Sequence, residues 1–68
     1  MVNLNKLRGR MAERQITVKG LAEQLSVSAA SLYRRFNAPE EITVGEATKM
    51  KDILGLSVDE ASQIFFAE

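Results

Sequence analysis

The chain has 68 residues, enough for one domain (residues 1–68) with a small core, and a domain of this size buries only about 60% of its unfolded surface. It contains no cysteine and no histidine, which excludes disulfides and a zinc site built from those ligands, and no apolar run approaches the length of a membrane span or a signal peptide. Nine basic and nine acidic residues give a formal net charge of zero, which taken alone argues against a nucleic-acid partner.

Five helices and no strand are predicted, the first of them beginning after Asn3. The Asn3 side chain can cap this helix, and Leu4, Leu7 and Met11 recur at helical spacing as one apolar stripe. Gly9 lies inside the helix and costs up to about 1 kcal/mol relative to alanine. We therefore expect the first helix to depend on its tertiary neighbours.

The stretch from Thr17 to Asn37 predicts two short helices joined by a three-residue turn. Thr17 caps the second helix, which runs to about Leu25, and Ser28 caps the third, which ends at Asn37. Asn37 tolerates the left-handed conformation that often ends a helix, and Pro39 prevents the helix from continuing. This order is typical of a helix-turn-helix.

The two helices of this motif each divide into an inner and an outer face. The residues predicted to face the core are Leu21, Ala22, Leu25, Val27, Leu32 and Phe36. The residues predicted to face outward on the third helix are Ala29, Ala30, Tyr33 and Arg34, beside a second arginine at Arg35.

The fourth and fifth helices are indicated by two capping boxes, Thr43–Glu46 and Ser57–Glu60, in which side chain and backbone satisfy each other's donors. Gly55 is placed to end the fourth helix. An alternative for Glu41–Val44 is a short extended stretch, because three of its residues are β-branched. The capping box favours a helix start.

The charge is polarised along the chain. Residues 1–37 carry seven basic and two acidic residues, a formal charge of +5, and residues 38–68 carry a formal charge of −5. The positive half contains the helix-turn-helix, which favours DNA as its partner. The alternative is two solvated faces that happen to differ in charge.

The outer face of the third helix has side chains suited to reading base edges in the major groove. Ala29 and Ala30 permit close approach and can meet a thymine methyl group; Tyr33 can hydrogen-bond or pack on a sugar. Arg34 can bind guanine through two hydrogen bonds or hold a phosphate. The alternatives are that both alanines are ordinary helix formers and that Tyr33 packs against Pro39.

Phosphate contacts are predicted at the starts of the two helices. Thr17 and Ser28 lie where exposed N–H groups and the helix dipole favour an anion, although capping alone explains both residues. Lys19, on the exposed side of the second helix, adds a contact without sequence content. Arg35 is instead expected to lie along the surface of the fourth helix as a structural residue.

The chain resembles the phage Cro and repressor family of helix-turn-helix proteins. The residues that match the family pattern in register are Thr17, Leu21, Ala22, Val27, Ser28 and Leu32. The resemblance covers essentially the whole chain. It implies an all-α, compact five-helix, lambda-repressor-like DNA-binding domain, with the helix-turn-helix formed by helices 2 and 3. It also implies a Cro-like transcriptional repressor of phage or prophage type that occupies a double-stranded DNA operator.

Four positions depart from the family pattern, and one further position follows it. Val18 replaces a glutamine that clamps a phosphate, and Ser26 replaces the turn glycine, so Ser26 must adopt a left-handed conformation. A family ion pair falls at Met11 and Phe36, and we expect these two side chains to make a sulfur–aromatic contact instead. Some members carry an asparagine on a phosphate at the position of Asn37, which implies the same contact here.

The C-terminal helix ends in adjacent phenylalanines, Phe65 and Phe66, which cannot both face one small core. One is therefore expected to be exposed and to mark a partner surface, so both are candidate contacts in a weak or DNA-assisted homodimer. The alternative is that one phenylalanine closes the core and the other folds over its edge.

No enzyme chemistry, cofactor, metal or small-molecule ligand is expected, because the sequence lacks histidine, cysteine and a glycine-rich phosphate loop. A bacterial cytoplasmic, nucleoid-associated protein is predicted. The rival functions are an antitoxin-type autorepressor and a helix-turn-helix fold that binds protein as an antirepressor or adaptor. Membership of the TetR or the resolvase family is not favoured as an assignment, because TetR proteins need a large ligand-binding domain and resolvases need a catalytic domain.

Overall fold

A computed structural model describes residues 1–66 and contains in them five α-helices and one short 3₁₀ turn. The helices are α1 (Leu4–Glu13), α2 (Val18–Leu25), α3 (Ala29–Asn37), α4 (Val44–Leu54) and α5 (Val58–Phe65), and the 3₁₀ turn is Pro39–Glu41. No strand occurs within the described range, so the all-α prediction is confirmed.

Each helix begins at its predicted cap. All five capping side chains accept a hydrogen bond from the backbone N–H three residues later, over 3.0 to 3.1 Å; they are Asn3, Thr17, Ser28, Thr43 and Ser57. Both predicted capping boxes are complete, since Glu46 and Glu60 each accept a hydrogen bond of 3.0 Å from the cap residue's own N–H. Satisfying these orphan donors stabilises helices that are too short to persist alone.

Two helices end in the left-handed conformation as predicted. Ser26 (φ 60°, ψ 37°) ends α2, and Gly55 (φ 63°, ψ 37°) ends α4. Helix α3 ends at Asn37 as predicted, but Asn37 is not left-handed, and the residue after it, Ala38, has φ −135°. The Ala38 N–H donates to the carbonyls of Arg34 and Arg35, so the last turn is closed without a left-handed residue.

The core draws side chains from all five helices. The largest fully buried side chains are Leu7, Leu21, Leu32, Phe36, Met50, Leu54 and Ile64. Val18 is buried as well, so its side chain adds to the core at the start of α2. Hydrophobic burial of these side chains is the main stabilising term for a domain this small.

The packing around α2 determines which side of α3 remains free. Helix α2 packs against both α3 and α4, while α1 and α4 pack against α5. The Asn3 N–H also donates to the Ile64 carbonyl, which joins the N-terminal segment to the end of α5. One side of α3 is therefore in the core, and the other faces outward.

Replacing Ser26 with glycine should stabilise the protein by about 0.5 kcal/mol. Relief of the left-handed strain of a residue with a Cβ exceeds the extra unfolded-state entropy of glycine by about that amount. Thermal unfolding should show a rise in Tm of about 2–4 °C. Gly55→Ala is the matched control: a Cβ there meets no atom within 4 Å, so its expected loss of about 1 kcal/mol is a backbone effect alone. A lower Tm for Ser26→Gly would contradict this account.

Candidate nucleic-acid interface

The outer side of α3 presents one continuous stripe of exposed side chains. Four residues at helical spacing form it, and they are Ala30, Tyr33, Arg34 and Asn37. Leu32 and Phe36 lie on the opposite side of the helix and are buried. We call the four exposed residues the outer face of α3. Three of the four predicted base-contacting residues share it; the base contacts themselves stay a prediction.

Ala29 is the exception among those four residues. It is half-buried and packs against the core, whereas the prediction placed it outward with Ala30. The reason is helical geometry: Ala29 precedes Leu32 by three residues, so it lies on the inner side of the helix. The first outward side chain of α3 is therefore Ala30.

The predicted phosphate-contacting residues are all exposed. The hydroxyl oxygens of Thr17 and Ser28 accept the capping bonds from Gly20 and Ser31, which leaves each hydroxyl hydrogen available to an anion. Lys19 is exposed in the first turn of α2. Asn37 lies at the far end of the outer face of α3. Their contacts with DNA stay predictions.

Several cations of the positive half are occupied by carboxylates. The ion pairs are Arg10–Glu60 (3.0 Å), Arg10–Glu13 (2.9 Å), Arg14–Glu13 (3.6 Å) and Arg35–Glu46 (3.0 Å). Within residues 1–66, the side chains of Lys6, Lys19 and Arg34 make no ion pair. Arg34 is thus the arginine of α3 that remains available to a ligand.

Arg35 has the structural role expected for it, and its partner is the capping glutamate of α4. Its Nη1 lies 3.0 Å from Glu46 Oε2 in a geometry outside that of a hydrogen bond, with the two side chains only 22% and 19% exposed. The other oxygen of Glu46 accepts the Thr43 N–H. One carboxylate therefore caps α4 and ties it to the last turn of α3.

Glu60 repeats this arrangement at α5. Its Oε1 accepts the Ser57 N–H, and its Oε2 lies 3.0 Å from Arg10 Nε on α1. The hydrogen bond from the Ser57 backbone lowers the pKa of Glu60, and the hydroxyl of Ser57 and the charges of Arg10 and Arg14 lower it further. The sequence predicted both boxes but neither of these inter-helix ion pairs.

Arg8 is a residue that sequence reasoning missed. Its guanidinium carbon lies 5.2 Å from the centroid of the Phe36 ring, which brings a cation from α1 to the last turn of α3. Met11 and Phe36 are both buried in the same core, and their direct sulfur–aromatic contact stays a prediction. An arginine three residues before a core methionine was the only sequence signal for this contact, and it is a weak one.

The two C-terminal phenylalanines divide as predicted. Phe65 is buried in the core, whereas Phe66 is 59% exposed. Phe65 therefore offers no surface to a second copy of the chain in this conformation. Phe66 remains the candidate dimer contact.

Among residues 1–66, no helix combines the length and the apolar character needed to cross a bilayer. The same residues contain no group of three or more acidic side chains placed to hold a metal ion. Neither a protein-family model, nor a curated protein, nor a solved structure matches this chain.

Proposed function

We propose that this chain is a sequence-specific, double-stranded DNA-binding regulator of transcription, a Cro-like repressor of phage or prophage type that occupies an operator. The observation that supports this most is the outer face of α3, which exposes small, aromatic and cationic side chains in one stripe and whose Arg34 makes no ion pair with any residue of 1–66. A surface helix of this kind fits the B-DNA major groove.

In this proposal α3 enters the major groove and α2 lies across the phosphate backbone. The N-terminus of α2 supplies free N–H groups, the Thr17 hydroxyl and the Lys19 ammonium, all of which favour a phosphate. These contacts fix the orientation of the protein but carry no sequence information. Readout then depends on α3.

Sequence readout is assigned to three residues of the outer face of α3. Ala30 allows the helix axis to approach the base edges and can meet a thymine methyl, while Arg34 has the length and donor geometry to bind guanine O6 and N7 together. Tyr33 can add a hydrogen bond or a sugar contact. With so few direct contacts, the deformability of the DNA is expected to contribute to specificity.

A net charge of zero does not oppose the proposed DNA-binding role, because two acidic side chains are taken up in inter-helix ion pairs with Arg10 and Arg35. Glu60 and Glu46 neutralise these two arginines between helices. Lys19 and Arg34 remain for an external polyanion. The relevant quantity is therefore the charge exposed beside α2 and α3 and not the formal total.

Selection of bound fragments from a random duplex pool tests the proposal, followed by a salt titration on the selected duplex. We expect enrichment of a short motif that contains a guanine at a fixed position. The logarithm of the binding constant should fall linearly with the logarithm of the salt concentration, because phosphate neutralisation releases counterions. Absence of enrichment together with absence of binding would contradict the proposal and favour the protein-binding alternative, an antirepressor or adaptor.

Replacing Phe66 with serine should abolish cooperative binding to a palindromic operator while leaving binding to a single half-site unchanged. The reason is that Phe66 is an exposed aromatic at the end of α5, where we propose that a weak or DNA-assisted homodimer forms. Val58→Ser is the control, since Val58 is 73% exposed at the opposite end of the same helix.

The measurement for Phe66 is sedimentation together with titration of a palindrome whose half-sites lie about one helical turn, ~34 Å, apart. A wild-type protein that stays monomeric at high concentration and binds the palindrome without cooperativity would contradict the dimer. Loss of cooperativity in the Val58 variant would place the interface elsewhere.

A further inference from the structure

We propose that Arg8, on α1, is an additional phosphate-contacting residue, which extends the DNA-binding surface to the C-terminal end of α3. This inference rests on the proposed function. It begins from the position of the guanidinium, 5.2 Å from the centroid of the Phe36 ring, although the Arg8 residue as a whole is exposed. Phe36 and Asn37 both belong to the last turn of α3, with their side chains about 100° apart around the helix axis.

The contact with the ring leaves the hydrogen-bonding capacity of Arg8 intact. An aromatic ring attracts the cation through its quadrupole but accepts none of the five guanidinium N–H groups in the way that a carboxylate does. Within residues 1–66, Arg8 makes no ion pair, in contrast to Arg10, Arg14 and Arg35. Its donors are therefore available to an anion, and a guanidinium matches a phosphate in two-point geometry.

The ring also positions the cation before any ligand binds. An exposed arginine ordinarily loses side-chain freedom when it is ordered by a ligand, and this loss opposes binding. Phe36 is only 2% exposed and belongs to the core, so it is a fixed platform. The guanidinium is thus held beside the last turn of α3, where the partial negative charge of the helix C-terminus also favours a cation.

A purely structural role is the competing interpretation. Arg8 also covers the Phe36 ring, and its loss can lower stability without any link to DNA. Salt dependence separates the two roles, because each phosphate neutralised contributes about 0.9 to the slope of log K against log salt, whereas a stability effect leaves that slope unchanged.

The experiment compares Arg8→Gln with Lys6→Gln. Both residues are exposed cations of α1 that make no ion pair within the described part of the chain, and at 100° per residue they flank the buried Leu7 on opposite sides. Binding is titrated between 0.1 M and 1 M salt on two probes, the selected duplex and a scrambled duplex of the same length. Thermal unfolding establishes that each variant is folded at the assay temperature.

We expect Arg8→Gln to reduce the slope by about 0.9 on both probes, which amounts to about an eightfold loss of affinity at 0.1 M salt and almost none at 1 M. Lys6→Gln should keep the wild-type slope. Arg8→Met, which keeps an apolar cover on the ring, should show the same reduction and provides the measurement if the glutamine variant unfolds.

An unchanged slope in a folded Arg8 variant would overturn the inference and leave the proposed function intact. An equal reduction in the Lys6 variant would also overturn it, because the effect would then follow net charge and not position. A wild-type protein that binds neither probe would overturn the proposed function and this inference together.

Discussion

Replacing Arg34 with alanine should weaken binding to the selected duplex by about 1–3 kcal/mol and leave the free energy of unfolding nearly unchanged. The side chain is exposed on the outer face of α3 and makes no ion pair within residues 1–66, so its removal leaves no partner unsatisfied in the protein. In the proposed complex its absence would leave the acceptors of a guanine without donors, which is the source of the expected loss.

Two further measurements make the Arg34 prediction specific. Arg34→Lys keeps the charge but not the two-point geometry, so it should keep the salt slope while losing discrimination against substitutions of the contacted guanine. Wild type and both variants are titrated with a set of duplexes that each carry one base-pair substitution. The base pair read by Arg34 is the one whose substitution weakens binding of wild type but not of the variants. Unchanged affinity of Arg34→Ala for the selected duplex would remove Arg34 from the readout.

The helix starts were the most predictable part of this fold, because each depends on residues within one turn. Thr43 and Glu46 form their capping box from the local sequence alone, whereas the left-handed Ser26 was implied by the resemblance, which places a turn glycine at that position. Helix α3 ends at Asn37 as predicted, but without the left-handed conformation suggested for that residue. There the closing bonds came from the backbone of Ala38, and no side-chain preference signals such an arrangement.

Helical periodicity was enough to predict which residues of α3 face outward, but not which contacts they or their neighbours make with other helices. Helical periodicity correctly placed Tyr33 and Arg34 on the outward side of α3. The same periodicity relates Ala29 to the buried Leu32, three residues later, and so places Ala29 on the inner side, where the structure has it. The pairing of Arg35 with Glu46 and the placement of Arg8 over Phe36 depend on how separate helices pack. These contacts join residues far apart in sequence, so a single sequence without its fold does not specify them.

Removing the Arg35–Glu46 pair should lower the free energy of unfolding by about 1–2 kcal/mol when Arg35 is replaced by methionine. The value lies between that of exposed ion pairs, about 0–1 kcal/mol, and the larger cost of breaking fully buried ones, because both side chains are roughly four-fifths buried. DNA affinity per folded molecule should stay within about twofold of wild type, in contrast to the neighbouring Arg34→Ala.

The two functions of Glu46 can be separated by two substitutions. Glu46→Gln keeps an oxygen for the Thr43 N–H but loses the charge that meets Arg35, so about 1 kcal/mol should be lost. Glu46→Ala loses both interactions, and about 2 kcal/mol should be lost. Urea unfolding of these variants alone and combined with Arg35→Met provides a double-mutant cycle.

We expect a coupling energy of about 1 kcal/mol between Arg35→Met and Glu46→Gln, so that the double variant is little worse than either single one. Additive losses would mean that the two charges do not stabilise each other. The contact between the end of α3 and the start of α4 would then depend on apolar packing alone. A parallel loss of DNA affinity in Arg35→Met, measured well below its Tm, would instead show that this arginine contacts the ligand. The assignment of readout to Arg34 requires that the two adjacent arginines differ in this way.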